Sequence, residues 1–124
     1  MYTTLLHASL IVQNLQTSLH FYVDILGFSV DESRPDLGYE GAWLQVNASQ
    51  QIHLLNLPNP DPVEGRPAHG GRDRHIAIGV SDFKALMERL ERNAIPYSKS
   101  KSGREALFCH DPDGNALEFI AVQT

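Results

Sequence analysis

The chain has 124 residues, 42% hydrophobic and 20% charged, with a formal net charge of −5. That length suits one compact domain with a real core, and the single cysteine, Cys109, forbids an intrachain disulfide and suits a reducing compartment. The acidic balance argues against a general nucleic-acid binder, and no apolar run nears the roughly 20 residues that cross a bilayer.

In chain order, MYTTLLHASLIV carries no basic n-region or cleavage site and is expected as a strand rather than a leader, which fits a soluble cytoplasmic protein. Asn14 can cap the next segment, LQTSLHFYVDIL, in which Leu15, Leu19, Tyr22, Val23 and Leu26 recur at helical spacing. Gly27 stops that helix. FSVDESR, GAWLQV and QIHLLNL are expected strands, separated by Gly38, Gly41 and Asn47-Ala48-Ser49. The proline- and glycine-rich LPNPDPVEGRPAHGGRDR excludes a long helix or strand and is expected as a linker, with gating as the alternative role. HIAIGV is then a strand. Asp82 caps FKALMERLERN, with Phe83, Leu86, Met87 and Leu90 on one face. A strand starting at Ile95-Pro96-Tyr97 follows, and ALFCH and ALEFIAV complete the set around the turn Asp111-Pro112-Asp113-Gly114.

The second half repeats the first. His7 opens HASLIV and His75 opens HIAIGV, 68 residues later; His53 lies in QIHLLNL and Glu118 in ALEFIAV, 65 residues later. Strand side chains alternate between faces. His7, His53, His75 and Glu118 therefore each point away from the face that packs on a helix. Imidazole with carboxylate suits one divalent ion among Zn, Ni, Co, Fe and Mn, and four protein ligands would leave two positions free on an octahedral ion. The competing account for any one histidine is a hydrogen-bonded structural residue. The paired, same-face pattern favours ligands. The expected organisation is α+β: a single domain over 1–124, with module one at about 4–57, a loop at about 58–73 and module two at about 74–124.

The segments LQTSLHFYVDILGF, His75-Ile76-Ala77 and DPDGNALEF resemble the vicinal oxygen chelate superfamily, the group of glyoxalases, bleomycin resistance proteins and extradiol dioxygenases. The resemblance implies two tandem βαβββ modules forming a curved, open mixed sheet around one metal. It implies His7, His75 and Glu118 as ligands, with His53 where glyoxalase I has a glutamate and methylmalonyl-CoA epimerase, another member, a glutamine. It also implies a homodimer in which the two modules of one site can come from different subunits.

The activity implied is that of a glyoxalase I-like lyase or isomerase. Its substrate would be a small molecule that chelates the metal through vicinal oxygens, with Glu118 as acid/base or as a plain ligand. The alternative is an Fe(II)-dependent extradiol-type dioxygenase, because His7, His75 and Glu118 alone make a two-histidine, one-carboxylate set. The third is a non-catalytic, bleomycin-resistance-like binding protein. Ile11 stands where bacterial glyoxalase I has an arginine that holds glutathione, and no basic residue follows Glu118 up to Thr124, as fosfomycin resistance proteins would require. Trp43 and Tyr39 are candidate pocket residues, with core packing as the alternative. Arg104 is a candidate for an anionic substrate, with a solvated surface arginine as the alternative. Arg34 and Arg74 read as surface charge, Cys109 as a small buried hydrophobe, and His20 and His69 receive no function.

Overall fold

The computed structural model describes residues 1–123, so Thr124, where the sequence argument about a missing C-terminal arginine ends, lies outside them. The chain divides into two compact units, Met1–Asp61 and the part from Pro62 onward. The order of elements in the first unit is β1 (His7–Val12), α1 (Leu15–Leu19, continuing as a π-helical stretch His20–Ile25), β2 (Ser29–Val30), β3 (Gly41–Gln45) and β4 (Gln51–Asn56). The second holds β5 (His75–Val80), α2 (Phe83–Arg92), β6 (Ser98–Lys99), β7 (Ala106–His110) and β8 (Ala116–Ala121). Each unit folds one mixed four-stranded sheet, in the orders β1-β4-β3-β2 and β5-β8-β7-β6. The α+β class and the tandem βαβββ modules are those expected from the sequence.

The two sheets share one register logic. β1 runs parallel to β4 with Ser9 opposite His53, and β5 runs parallel to β8 with Ala77 opposite Glu118. Next door, Trp43 pairs with His53 and Phe108 with Glu118 across antiparallel strands. An aromatic residue thus sits directly beside each inner-strand candidate ligand, on the same sheet face.

Helix starts follow their caps. The Asn14 side chain accepts the Thr17 N–H at 3.1 Å, and the Asp82 side chain accepts the Ala85 N–H at 3.0 Å, contacts worth about 1 kcal/mol each. Gly27 ends the first helix at φ +87°. The buried stripe of that helix is Ser18, Phe21, Tyr22 and Ile25, while Leu15, Leu19, Val23 and Leu26 are only half-buried. That buried line stands at i, i+3, i+4 and i+7, so it keeps helical spacing, but it includes polar Ser18 and shares only Tyr22 with the expected apolar face.

Two strands are shorter than FSVDESR and the run from Ile95 suggest. Asp31 accepts the Ser33 N–H at 3.0 Å, and Gly38 adopts φ +86°, so the chain turns away after Val30. In the second unit only Ser98–Lys99 pairs with β7. The first sheet alternates cleanly: Ala42, Leu44, Ile52 and Leu54 are buried, and Trp43 and His53 between them are half-buried. The second sheet does not, because Ala106–Cys109 and Ala116–Phe119 are buried without interruption. One cause is the loop before β5. Its 3-10 turn, Gly70–Arg72, lies on β7 and β8, where a Cβ at Gly70 would stand 3.2 Å from Phe108 and 3.4 Å from Ala116. That segment therefore covers part of the second sheet, a role beyond that of a plain linker. No helix of the described residues is long and apolar enough to cross a membrane.

Candidate metal and substrate site

Consider first the pair on the second sheet. Glu118 is 4% exposed although it is a carboxylate, and a buried charge needs partners. Its Oε1 lies 3.2 Å from His75 Nε2, and its Oε2 accepts from Arg104 Nη2 at 3.3 Å. His75 Nδ1–H donates to the Asp73 carbonyl at 2.8 Å, which directs the other ring nitrogen at Glu118. A bare imidazole lone pair and a carboxylate oxygen at 3.2 Å repel unless a positive species joins them. That species is a proton on Nε2 or a metal ion held by both groups. A backbone carbonyl that fixes the imidazole tautomer and leaves Nε2 as the donor is the usual support for a metal-binding histidine. Phe108 meets the His75 ring edge-on at 5.3 Å.

The loop that ends at Asp73 is itself clasped. Arg66 reaches Asp73 with two nitrogens, Nε at 2.9 Å and Nη2 closer still, and this pairing holds the Asp73 carboxyl below its ordinary value. His69, to which the sequence assigns nothing, accepts the Gly71 N–H on Nδ1 at 3.0 Å, and its ring lies 5.0 Å from Phe108.

The pair on the first sheet is arranged differently. The His7 and His53 rings stack at 3.9 Å with planes 12° apart, and Trp43 stacks on His53 at 4.7 Å, again at 12°. His53 is thus in contact with both neighbouring rings. Its Nε2–H donates to Gln51 Oε1 at 2.8 Å, and Gln51 Nε2 donates to Asp31 Oδ2 at 2.8 Å and to Gln45 Oε1 at 2.7 Å. Burial, then the charges of His7 and Arg34, hold the His53 imidazole below its ordinary value, with Asp31 opposing. Imidazole lone pairs lie in the ring plane, so two nearly parallel stacked rings aim theirs side by side rather than at one point. His7 and His53 can share an ion only after one ring turns. Within either unit, no group of three or more His, Cys, Asp or Glu side chains is gathered among the described residues. The donor types suit a borderline divalent ion. The His75–Glu118 pair presents its donors for one directly, and the His7–His53 pair after that rotation.

The remaining expected residues fall as follows. Trp43 is half-buried and stacked on His53 rather than packed only in the core. Arg104, 58% exposed, also hydrogen-bonds Ser102 while reaching Glu118. Tyr39 lies in the β2–β3 loop with the Arg34 guanidinium over its ring. His20 is exposed and contacts Asp24 at 3.0 Å. Cys109 is buried, and burial followed by the charge of Asp111 pushes its thiol up to about 12. Gln51 escaped notice in the sequence, although its position two residues before His53 put it on the same strand face. Asp73 and Arg66 had no local signal.

Tandem βαβββ modules, each carrying a matched pair of imidazole or carboxylate donors on neighbouring parallel strands, define a class of duplicated proteins. Residues 4–119 match the Glyoxalase/Bleomycin resistance protein/Dioxygenase superfamily, and the chain belongs to that superfamily. Over 121 residues it is 32% identical to Glyoxylase I 4 of Arabidopsis thaliana, covering 94% of this chain and 69% of that one. Over 123 residues it is 31% identical to the lactoylglutathione lyase of Haemophilus influenzae, covering 94% and 90%. A crystal structure of a glyoxalase/dioxygenase from Nostoc punctiforme superposes with a TM-score of 0.76 over 98% of this chain and 92% of that one, at 22% identity, a likeness of fold.

Proposed function

We propose that the protein is a metal-dependent lyase or isomerase of the glyoxalase group, acting on a small molecule that offers two vicinal oxygens. The ligand set is His7 and His53 from the first module with His75 and Glu118 from the second, and the working form is a homodimer. The observation that carries this reading is the buried Glu118 facing His75 Nε2 at 3.2 Å, with the other imidazole nitrogen fixed by the Asp73 carbonyl. The names of the relatives from Arabidopsis thaliana and Haemophilus influenzae support the lyase class. A divalent ion bound there supplies Lewis-acid polarisation of the substrate oxygens.

The chain's own groups supply the rest. Glu118 is the acid/base: Arg104 anchors Oε2, and Oε1 takes or returns a proton between adjacent substrate carbons. His75 keeps that carboxylate in place. Trp43 and Phe108 flank the inner strands with apolar rings that exclude water.

One observation favours a second reading. The stacked His7 and His53 rings do not converge, which leaves His7, His75 and Glu118 as a two-histidine, one-carboxylate set suited to Fe(II) and ring-cleaving oxygen chemistry. The deciding experiment loads the metal-free protein in turn with Zn, Ni, Co, Mn and Fe(II). Each form is assayed for isomerisation of the hemithioacetals that a 2-oxoaldehyde forms with glutathione and with other small thiols, and for catechol-dependent oxygen uptake. Hemithioacetal isomerisation with a redox-inert ion supports the lyase. Oxygen uptake confined to the Fe(II) form replaces it with the dioxygenase. Absence of both overturns the enzymatic reading for these substrate classes.

A further inference from the structure

Arg34 reads from the sequence as surface charge, yet it is half-buried, and no carboxylate pairs with it among the described residues. Its Nη2 donates to the Tyr39 carbonyl at 3.0 Å, and the guanidinium lies over the Tyr39 ring at 5.2 Å. It also fills the space above Gly41. A Cβ there would stand 2.9 Å from Arg34 Nη2, and even nearer the Leu54 carbonyl oxygen. Gly41 shares a strand face with Trp43, the residue stacked on His53. They lie two positions apart along the strand, roughly 7 Å.

A guanidinium has five N–H donors in a planar fork that matches an oxyanion. Here one donor is spent on a carbonyl and the cation is held by an aromatic face. The fork lines an open groove of about 680 Å³ together with Pro35, Asp36, Gly38, Tyr39 and Glu40. The carboxylates of that groove do not pair with it: Asp36 accepts the Gly38 N–H at 2.9 Å, and Glu40 is exposed. A half-buried cation without a counter-ion is costly to keep, and a ligand that supplies the counter-ion removes that cost.

We propose that Arg34 is the substrate-anion anchor of the site, binding a carboxylate on the part of the substrate remote from its two chelating oxygens. The assignment rests on the metal-site reading above for the location of the chelating end, and on the first module alone for the anion. It places the anchor in the β2–β3 loop of the first module.

The test uses the full chain loaded with zinc and three probes. Benzohydroxamate chelates through two vicinal oxygens, and its 4-carboxy and 4-phosphono derivatives add a remote anion. The wild type is expected to bind the 4-carboxy probe at least about tenfold more tightly than the parent, as one charge-assisted contact provides. Arg34→Ala should erase that gap while leaving the parent's affinity unchanged, which also shows that the variant is folded. Arg34→Lys should keep part of it. A larger gain for the phosphono probe makes the anion a phosphate and overturns the carboxylate assignment. Equal binding of charged and parent probes by the wild type, or a gap that survives Arg34→Ala, overturns the anchor. If no hydroxamate binds, the metal reading has failed. The metal-free chain is then titrated with benzoate while the Arg34 Nε–H resonance is followed by NMR. A saturable shift absent from Arg34→Ala upholds the anchor, and no shift removes it.

Discussion

His75 and Glu118 hold each other in place, and each has a further partner that leaves one productive orientation. His75→Ala and Glu118→Ala should each weaken zinc binding by more than about 100-fold, beyond what loss of a supporting contact produces. His20→Ala should leave it unchanged, because the exposed His20 ring pairs with exposed Asp24. Calorimetric zinc titration of the three variants checks this; equal loss in all three would mean general unfolding. His53 makes a different prediction. Its pKa is depressed in the folded chain, so between that value and the ordinary 6.5 the unfolded chain binds more protons. The stability tied to neutral His53 is complete above 6.5 and is lost as pH falls through the depressed value. Urea unfolding across that window should show this slope in the wild type and lose it in His53→Gln. Cys109, buried with its thiol raised to about 12, should resist a disulfide reagent at neutral pH and react only once the chain unfolds.

The clasped loop from Arg66 to Asp73 links a surface segment to the proposed ligand His75. Arg66 grips the Asp73 carboxylate, and the Asp73 carbonyl grips His75 Nδ1. Arg66→Ala or Asp73→Asn should lower zinc affinity roughly 10- to 100-fold without removing a ligand. The clasp also has a pH signature. The Asp73 value is lowered from 3.8 in the folded chain, so its contribution to stability is full above 3.8 and is lost as pH falls through the lower value. Acid unfolding of Asp73→Asn should lack that limb.

Element types were legible because capping residues, glycine stops and alternation are local signals, and Asn14, Gly27 and Asp82 act as expected. The buried line of α1 was less so, because polar Ser18 takes a buried place while the apolar Leu15, Leu19, Val23 and Leu26 are half-buried. The faces of β7 and β8 were also hidden, since covering by Gly70 is a contact made across the sequence.

Duplication is the feature that organises the chain, and it was readable from the repeat of His7 at His75 and of His53 at Glu118. Parallel pairing of β1 with β4 and of β5 with β8 turns those spacings into two diagonal same-face pairs. The sequence did not separate their states: one pair stacks ring on ring and the other meets nitrogen to oxygen. Orientation of that kind depends on Gln51, which strand spacing places on the His53 face, and on Trp43 and Asp73, which come from a neighbouring strand and from the loop before β5. It also did not reveal Arg34 as a site-face residue, because that depends on the missing side chain at Gly41.

Everything functional in this reading depends on donors from both modules serving the same ion. The measurement that decides it is the zinc stoichiometry of the purified full chain, with His7→Ala and His75→Ala titrated beside it. One ion per chain, lost in both variants although each changes only one module, is the expected result. No zinc uptake by the wild type, or uptake that survives either substitution undiminished, overturns the assignment.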